Sequence, residues 1–156
     1  MAGNADNDDL DGGDGADMVY FGQAVWSVTA SLVAGTASGE GADTLTGIER
    51  LSGSPQADTL IGDAGANILL GLGGADTLAG GEGGDQLYGG DRDDPSLDGG
   101  EGNDLIDGGN GTDTCVNAET VLNCASRTTV DRRTAGLAKT SSARLAFQSS
   151  ETIVPS

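Results

Sequence analysis

Histidine is absent from this chain, and aromatic residues make up only 3% of it. The first absence removes the commonest general base, and neither an HExxH helix nor a GxSxG elbow is present. Zinc is left with two cysteines and no imidazole, which excludes the usual tetrahedral ligand sets. With so few aromatics and 28 glycines, an ordinary globular core is excluded as well. Seven basic residues face 25 acids, so nucleic acid is an unfavourable partner. No apolar run is long enough to span a membrane. The opening MAGNADNDDL is acidic and lacks the apolar stretch of a signal peptide.

Charge is divided along the chain. Residues 1–124 hold 23 acids against Arg50 and Arg92, whereas residues 125–156 hold five bases and two acids. The acids of the first part are periodic. From Gly53 the sequence reads GSPQADTLI, GDAGANILL, GLGGADTLA, GGEGGDQLY, GGDRDDPSL and, after one extra residue, GGEGNDLID and GGNGTDTCV. Position six is Asp58, Asn67, Asp76, Asp85, Asp94, Asp104 and Asp113. Position eight is Leu60, Leu69, Leu78 and Leu87, then Leu97 one place late, then Ile106 and Cys115. A fixed short period outranks any single motif as a guide to fold, because each repeat is a unit that cannot bury its apolar side chain alone.

The chemistry follows from the residue types. Glycine tolerates positive φ and close backbone approach, so each GGxGx run is a tight turn whose carbonyls are free to face a ligand. The segments TLI, ILL, TLA and QLY suit short strands that alternate in exposure. Two repeats complete one coil and bring position six of one repeat over position six of the next but one. Carboxylates stacked at strand spacing, about 4.8 Å, repel one another when bare. A hard cation between them removes the repulsion, and ligation by carboxylates and carbonyls suits Ca²⁺ at about 2.3–2.6 Å better than Mg²⁺, which demands a tighter octahedron.

The pattern GGxGxDxUx is complete in Gly12–Tyr20, Gly80–Tyr88 and Gly99–Asp107, and partial in Ser38–Thr46 and Gly3–Asp11. On these motifs residues 3 to 124 resemble the RTX (hemolysin-type) calcium-binding repeats. The stretch VTASLVAGTASGEGADTLTGIERLSGSPQADTLIGDAGAN is similar to the segment that precedes the main repeats of serralysin-type and other secreted RTX proteins. The resemblance implies an all-β fold, a parallel β-roll or right-handed β-solenoid, holding several Ca²⁺ ions between turns. It implies carbonyls of positions two and four with the Asp at six from the lower turn, and carbonyls of positions one and three with their Asp from the upper.

Carried onto this chain, the first set is Gly81, Gly83 and Asp85 with Gly99, Glu101 and Asp104. Two more join Ser54, Gln56 and Asp58 to Gly71, Gly73 and Asp76, and Leu72, Gly74 and Asp76 to Gly89, Asp91 and Asp94. A fourth joins Asp63, Gly65 and Asn67 to Gly80, Glu82 and Asp85, with Asn67 supplying a neutral oxygen. A fifth joins Gly90, Arg92 and Asp94 to Gly108, Asn110 and Asp113, where the insertion near Pro95 disturbs the register. Asp17 and Asp43 are further candidate ligands, the partner of Asp43 being left open by the short link Gly47–Ser52.

Four segments result. Residues 1–20 are amino-terminal repeats, and 21–52 a strand-rich interruption containing one degenerate repeat. Residues 53–124 are the main roll with a terminal cysteine loop, and 125–156 a tail that is either disordered or a secretion signal. In the interruption, Trp26, Val28, Ala30 and Leu32 alternate with Val25, Ser27, Thr29 and Ser31 as one strand with an apolar face, which places Trp26 in the core or as an end cap rather than as a ligand platform. Ile48 and Leu51 read as one more inward rung. Cys115 and Cys124 favour a disulfide closing a small loop over an open solenoid edge.

Three functional classes are compatible with this pattern. The first is a calcium-binding module giving calcium-dependent folding or stabilisation of a secreted protein, with a secretion apparatus or a missing catalytic domain as partner. The second is a structural or adhesive β-solenoid that binds a cell surface or partner. The third, an enzyme using paired carboxylates, is disfavoured because the pairs recur identically and no substrate cleft is implied.

Overall fold

In the computed structural model the described residues are 1–3 and 5–128. They form strands and turns only, with no helix among them. The strands are β1 (Asp9–Asp11), β2 (Met18–Tyr20), β3 (Thr29–Ser31), β4 (Thr36–Ser38), β5 (Ala42–Thr46), β6 (Arg50–Ser52), β7 (Thr59–Ile61) and β8 (Ile68–Gly73). After them come β9 (Thr77–Gly83), β10 (Gln86–Asp91), β11 (Ser96–Gly102), β12 (Leu105–Asn110), β13 (Thr114–Val116), β14 (Thr120–Leu122) and β15 (Ser126–Thr128). Successive repeats alternate between two sheets. One has the order β1-β5-β4-β3-β7-β9-β11-β13-β15 and the other β14-β12-β10-β8-β6-β2. All pairings are parallel except β3–β4 and β4–β5. This is a parallel β-solenoid.

The register shows why a nine-residue unit closes the coil. Leu60 pairs with Leu78, Leu78 with Leu97 and Leu97 with Cys115 in one sheet. In the other, Leu51, Leu69, Leu87, Ile106 and Val121 follow one another in the same way. The seven Leu and Ile side chains of these two files are fully buried. Each contributes about 2 kcal/mol of burial, and neither file has a core without the other facing it. The extra residue is absorbed at exposed Pro95, between Asp94 and Ser96, so that Leu97 still lies on Leu78.

The amino-terminal repeats stack on the main roll, since β2 pairs with β6 and β1 with β5. Ile48 and Leu51 are buried as the sequence implies. The segment between departs from expectation in one respect. Val28 and Ala30 point inward, but Trp26 is 68% exposed and neither core nor cap. The reason is local: the Ala24 amide donates to the Phe21 carbonyl at 2.8 Å, and the turn it closes buries Phe21 and Ala24 at that level. Trp26 follows before the strand begins, so the period-two alternation does not reach it.

Cys115 and Cys124 form a disulfide with a Cα–Cα distance of 6.0 Å, within the ordinary range. It ties a buried position of β13 to the short turn between β14 and β15. The roll runs on through β15, a few residues past the boundary expected at 124. The remaining tail, residues 129–156, lies outside the described residues.

Candidate metal centre

Because strands alternate between sheets, the turns alternate between two edges. One edge carries the turns that begin at Gly53, Gly71, Gly89 and Gly108, the other those at Gly62, Gly80 and Gly99. Position six of every turn is buried, at 2% exposure or less from Asp58 to Asp113. Each upper carboxylate accepts the amide of the position-six residue below. Asp58 N donates to Asp76 Oδ1, Asp76 N to Asp94 Oδ1 and Asp94 N to Asp113 Oδ1, each at 2.8 Å. On the other edge Asn67 N donates to Asp85 Oδ1 at 2.8 Å and Asp85 N to Asp104 Oδ1 at 2.9 Å.

Within this shared ladder the turns differ. From Gly71 onward position two is left-handed, with φ of +77° at Leu72, +110° at Gly81 and +115° at Gly90. Oδ2 of Asp76, Asp85, Asp94 and Asp113 is buried there without a hydrogen-bond partner. In the turns at Gly53 and Gly62 position two is Ser54 or Asp63, and its amide bends back onto its own position six. Ser54 N donates to Asp58 Oδ2 at 2.5 Å, and Asp63 N donates to Asn67 Oδ1 at 2.8 Å.

Backbone oxygens complete each gap. A Cβ placed on Gly71 would land on Asp76 Oδ2 and on the carbonyl oxygen of Gly89 in the coil above. One on Gly102 would land on the carbonyl oxygen of Gly83 below, which is why only glycine fits there. Among the described residues no three Asp, Glu or Cys side chains converge on one point. Any ion would therefore be held by two carboxylates and a majority of carbonyls, an all-oxygen donor set that suits Ca²⁺. Buried, unpartnered carboxylate oxygens facing carbonyl oxygens are costly unless a cation lies between them, so the residues present fit the ion.

The electrostatics agree. Burial, reinforced by the charges of Asp58 and Asp94 and opposed by the Asp58 amide, lifts the Asp76 carboxyl from the ordinary 3.8 to about 7. Asp94 rises to about 6, again by burial first, with Asp113 and Asp93 adding and the Asp76 amide opposing. Asp85 is raised by burial and by Asp104 and Asp63, against the Asn67 amide.

The structure brings together the residues of all five inferred sets on adjacent coils of a common edge. Gly81 and Gly83 pair with Gly100 and Gly102, Leu72 and Gly73 with Gly90 and Asp91, and Gly90 and Asp91 with Gly109 and Asn110. The last pairing keeps its register in spite of Pro95. Ser54 is a clamp as well as a backbone donor, its hydroxyl donating to Asp58 Oδ1 at 2.8 Å. Asp43 accepts from the Asp8 amide at 3.0 Å, which supplies the partner the sequence left open. Asp17 N donates to Glu49 Oε2 and Asp104 N to Glu119 Oε2, both at 2.8 Å. Sequence reasoning missed these two glutamates. The available signal was an acid two residues before an inward aliphatic, Leu51 or Val121, which is the spacing of Asp58 to Leu60.

A roll of two parallel sheets whose turns stack buried aspartates is the architecture of a calcium-binding repeat protein. The model of the RTX calcium-binding nonapeptide repeat matches this chain in four copies, at residues 1–23, 46–78, 70–94 and 79–115. The matches span more than half of the sequence, and the chain belongs to that family. A search of curated proteins finds none that matches it.

Proposed function

We propose that this chain is a calcium-dependent folding module of a secreted protein. The observation that carries the reading is the set of buried oxygens without a partner, Oδ2 of Asp76, Asp85, Asp94 and Asp113, each in a turn rich in carbonyl oxygens. Three gaps are the favoured sites: Leu72, Gly74 and Asp76 with Gly89, Asp91 and Asp94; Gly81, Gly83 and Asp85 with Gly99, Glu101 and Asp104; and Gly90, Arg92 and Asp94 with Gly108, Asn110 and Asp113. The ion would supply charge neutralisation between coils, which the sparse core cannot replace. The role is structural rather than catalytic, because the carboxylate pairs repeat identically along both edges. A disulfide and membership of this family support an extracellular setting, where calcium is plentiful. A secretion apparatus or a catalytic domain elsewhere in the host protein are the partners that such a module would serve.

A calcium titration followed by far-UV circular dichroism, with magnesium as the control, tests this. A steep gain of β signal in Ca²⁺ and not in Mg²⁺ is expected. The same β signal in excess chelator would overturn it.

One observation favours a second reading, an adhesive face. Thr29, Thr59, Thr77 and Ser96 lie in register on the outward side of one sheet. Thr29 lies outside the repeats and enters this file through β3, whereas Thr44 pairs elsewhere, with Asp9 and Thr36. Binding to a surface or glycan that is lost when Thr59 and Thr77 become lysine, with calcium affinity unchanged, would support it.

A further inference from the structure

We infer that calcium is taken up only in gaps whose lower turn begins at Gly71 or later, and that the block Phe21–Leu70 keeps its fold without the ion and serves as the template on which the rest of the roll winds. The inference rests on the reading of the chain as a calcium-folded module. It adds a direction and a boundary to it.

The boundary is drawn by hydrogen bonds. Asp58 is fully engaged: Oδ1 accepts from Val28 N at 2.7 Å and from the Ser54 hydroxyl at 2.8 Å, and Oδ2 accepts from Ser54 N. Asn67 fills the matching place on the other edge without charge. Its Oδ1 accepts from Asp63 N, and its Nδ2 donates to Asp63 Oδ1 at 3.2 Å and to the Glu49 carbonyl at 3.4 Å in the coil below. An amide donor thus stands at Asn67, where a carboxylate would require a cation. Every orphaned buried side-chain oxygen among the described residues lies at Asp76 or beyond. The turn at Gly12 has left-handed Gly13 and Gly15, but Asp17 there is only half-buried and holds no orphaned oxygen.

Packing follows the same division. The central block buries Phe21, Val28, Leu45, Ile48, Leu51 and Leu60 and contains the antiparallel β3–β4–β5 meander. Its hairpin contacts are local in sequence and form without closing a coil. Between Gly71 and Asp113 the buried hydrophobic side chains are Leu78, Leu87, Leu97 and Ile106, one for each repeat. A coil with one aliphatic per repeat and an orphaned carboxylate oxygen has little to hold it before the ion arrives. Once β7 and β8 present their edges, each new coil adds a strand to an existing template. The two other candidate sets, Ser54, Gln56 and Asp58 with Gly71, Gly73 and Asp76, and Asp63, Gly65 and Asn67 with Gly80, Glu82 and Asp85, then remain closed by protein hydrogen bonds in the presence of calcium.

Amide hydrogen exchange of the full chain, in chelator and in millimolar Ca²⁺, tests the inference. In chelator, amides of β5–β8 should stay protected while those of β9–β12 exchange freely, and Ca²⁺ should protect the latter. Loss of protection in both regions in chelator, with recovery of both in Ca²⁺, would overturn the template while leaving calcium-dependent folding intact. Protection of both regions in chelator would overturn calcium-dependent folding itself. The double substitution Ser54→Ala and Asn67→Asp leaves the core unchanged but removes the clamp and restores a charge. It should raise exchange at Leu60 and Leu69 in chelator by about tenfold or more, with Ca²⁺ reversing the effect. Unchanged exchange in that variant would also overturn the inference.

Discussion

The amide of Asp94 donates to Oδ1 of Asp113 at 2.8 Å across nineteen residues, the same bond that Asp76 makes to Asp94 across eighteen. Asp94 is therefore shared: its Oδ1 faces the gap below and its orphaned Oδ2 belongs to the gap above. Asp94→Asn keeps an acceptor for the Asp76 amide but removes the charge from both gaps. The expected outcome is a fall in calcium affinity of at least about tenfold, the scale that even outer-shell changes reach at metal sites. Isothermal titration against Asp14→Asn, which alters an exposed carboxylate of the amino-terminal turn, provides the comparison.

Leu72 holds φ of +77° with 39% of its surface exposed, and its carbonyl oxygen occupies the space of a Cβ at Gly90. Left-handed backbone costs a non-glycine residue about 1–2 kcal/mol. Part of the gain from glycine is offset by the freer unfolded chain. Leu72→Gly should raise stability in calcium by roughly 0.5–1 kcal/mol, and Leu72→Val should lower it because a branched side chain tolerates this region worst. Thermal denaturation of the two variants decides the matter, and destabilisation by glycine would contradict it.

The raised pKa values of Asp76 and Asp94 fix the sign of the pH dependence in metal-free buffer. Each binds a proton more tightly folded than unfolded, so their contribution is fully present below the ordinary value of 3.8 and is lost as pH rises towards about 6 for Asp94 and about 7 for Asp76. In metal-free buffer the amides of β9–β12, which exchange freely near pH 7.5, should gain protection near pH 4.5. With saturating Ca²⁺ the order reverses, since protons and the ion compete for the same oxygens. Amides of β9–β12 that stay unprotected near pH 4.5 in metal-free buffer would contradict this assignment.

Reduction acts on a different part of the molecule. The Cys115–Cys124 bond closes a loop with a sequence separation of nine, for which the chain-entropy contribution is about 2–3 kcal/mol. Reducing it with a thiol should lower the midpoint of denaturation and speed proteolysis at the carboxyl end of the roll first. Protection at Leu51 and Leu60, several coils away, should not change. An equal loss of protection along the whole roll would mean that the bond secures more than its own coil.

The sequence by itself determined the repeat, the inward file and the carboxylate file. Position eight must be apolar because it is the hydrophobic side chain that each repeat buries, and position six must pair because the period is half a coil. Leu60, Leu78 and Asp85 could therefore be placed from their spacing alone. The fate of Trp26 could not, because it depends on the Phe21–Ala24 turn, which breaks an apparent alternation. Glu49 and Glu119 were hidden because their turns lack the GGxGx run that marks most of the others.

Only the tertiary structure decided which turns want an ion. Ser54 and Leu72 occupy the same repeat position, and nothing in their residue types says that one amide bends back to its aspartate while the other turns away. That difference is a backbone dihedral: φ is +77° at Leu72, which pairs with Gly90 of the coil above, while Ser54 is not left-handed. It leaves Asp58 satisfied by protein and Asp76 short of a partner.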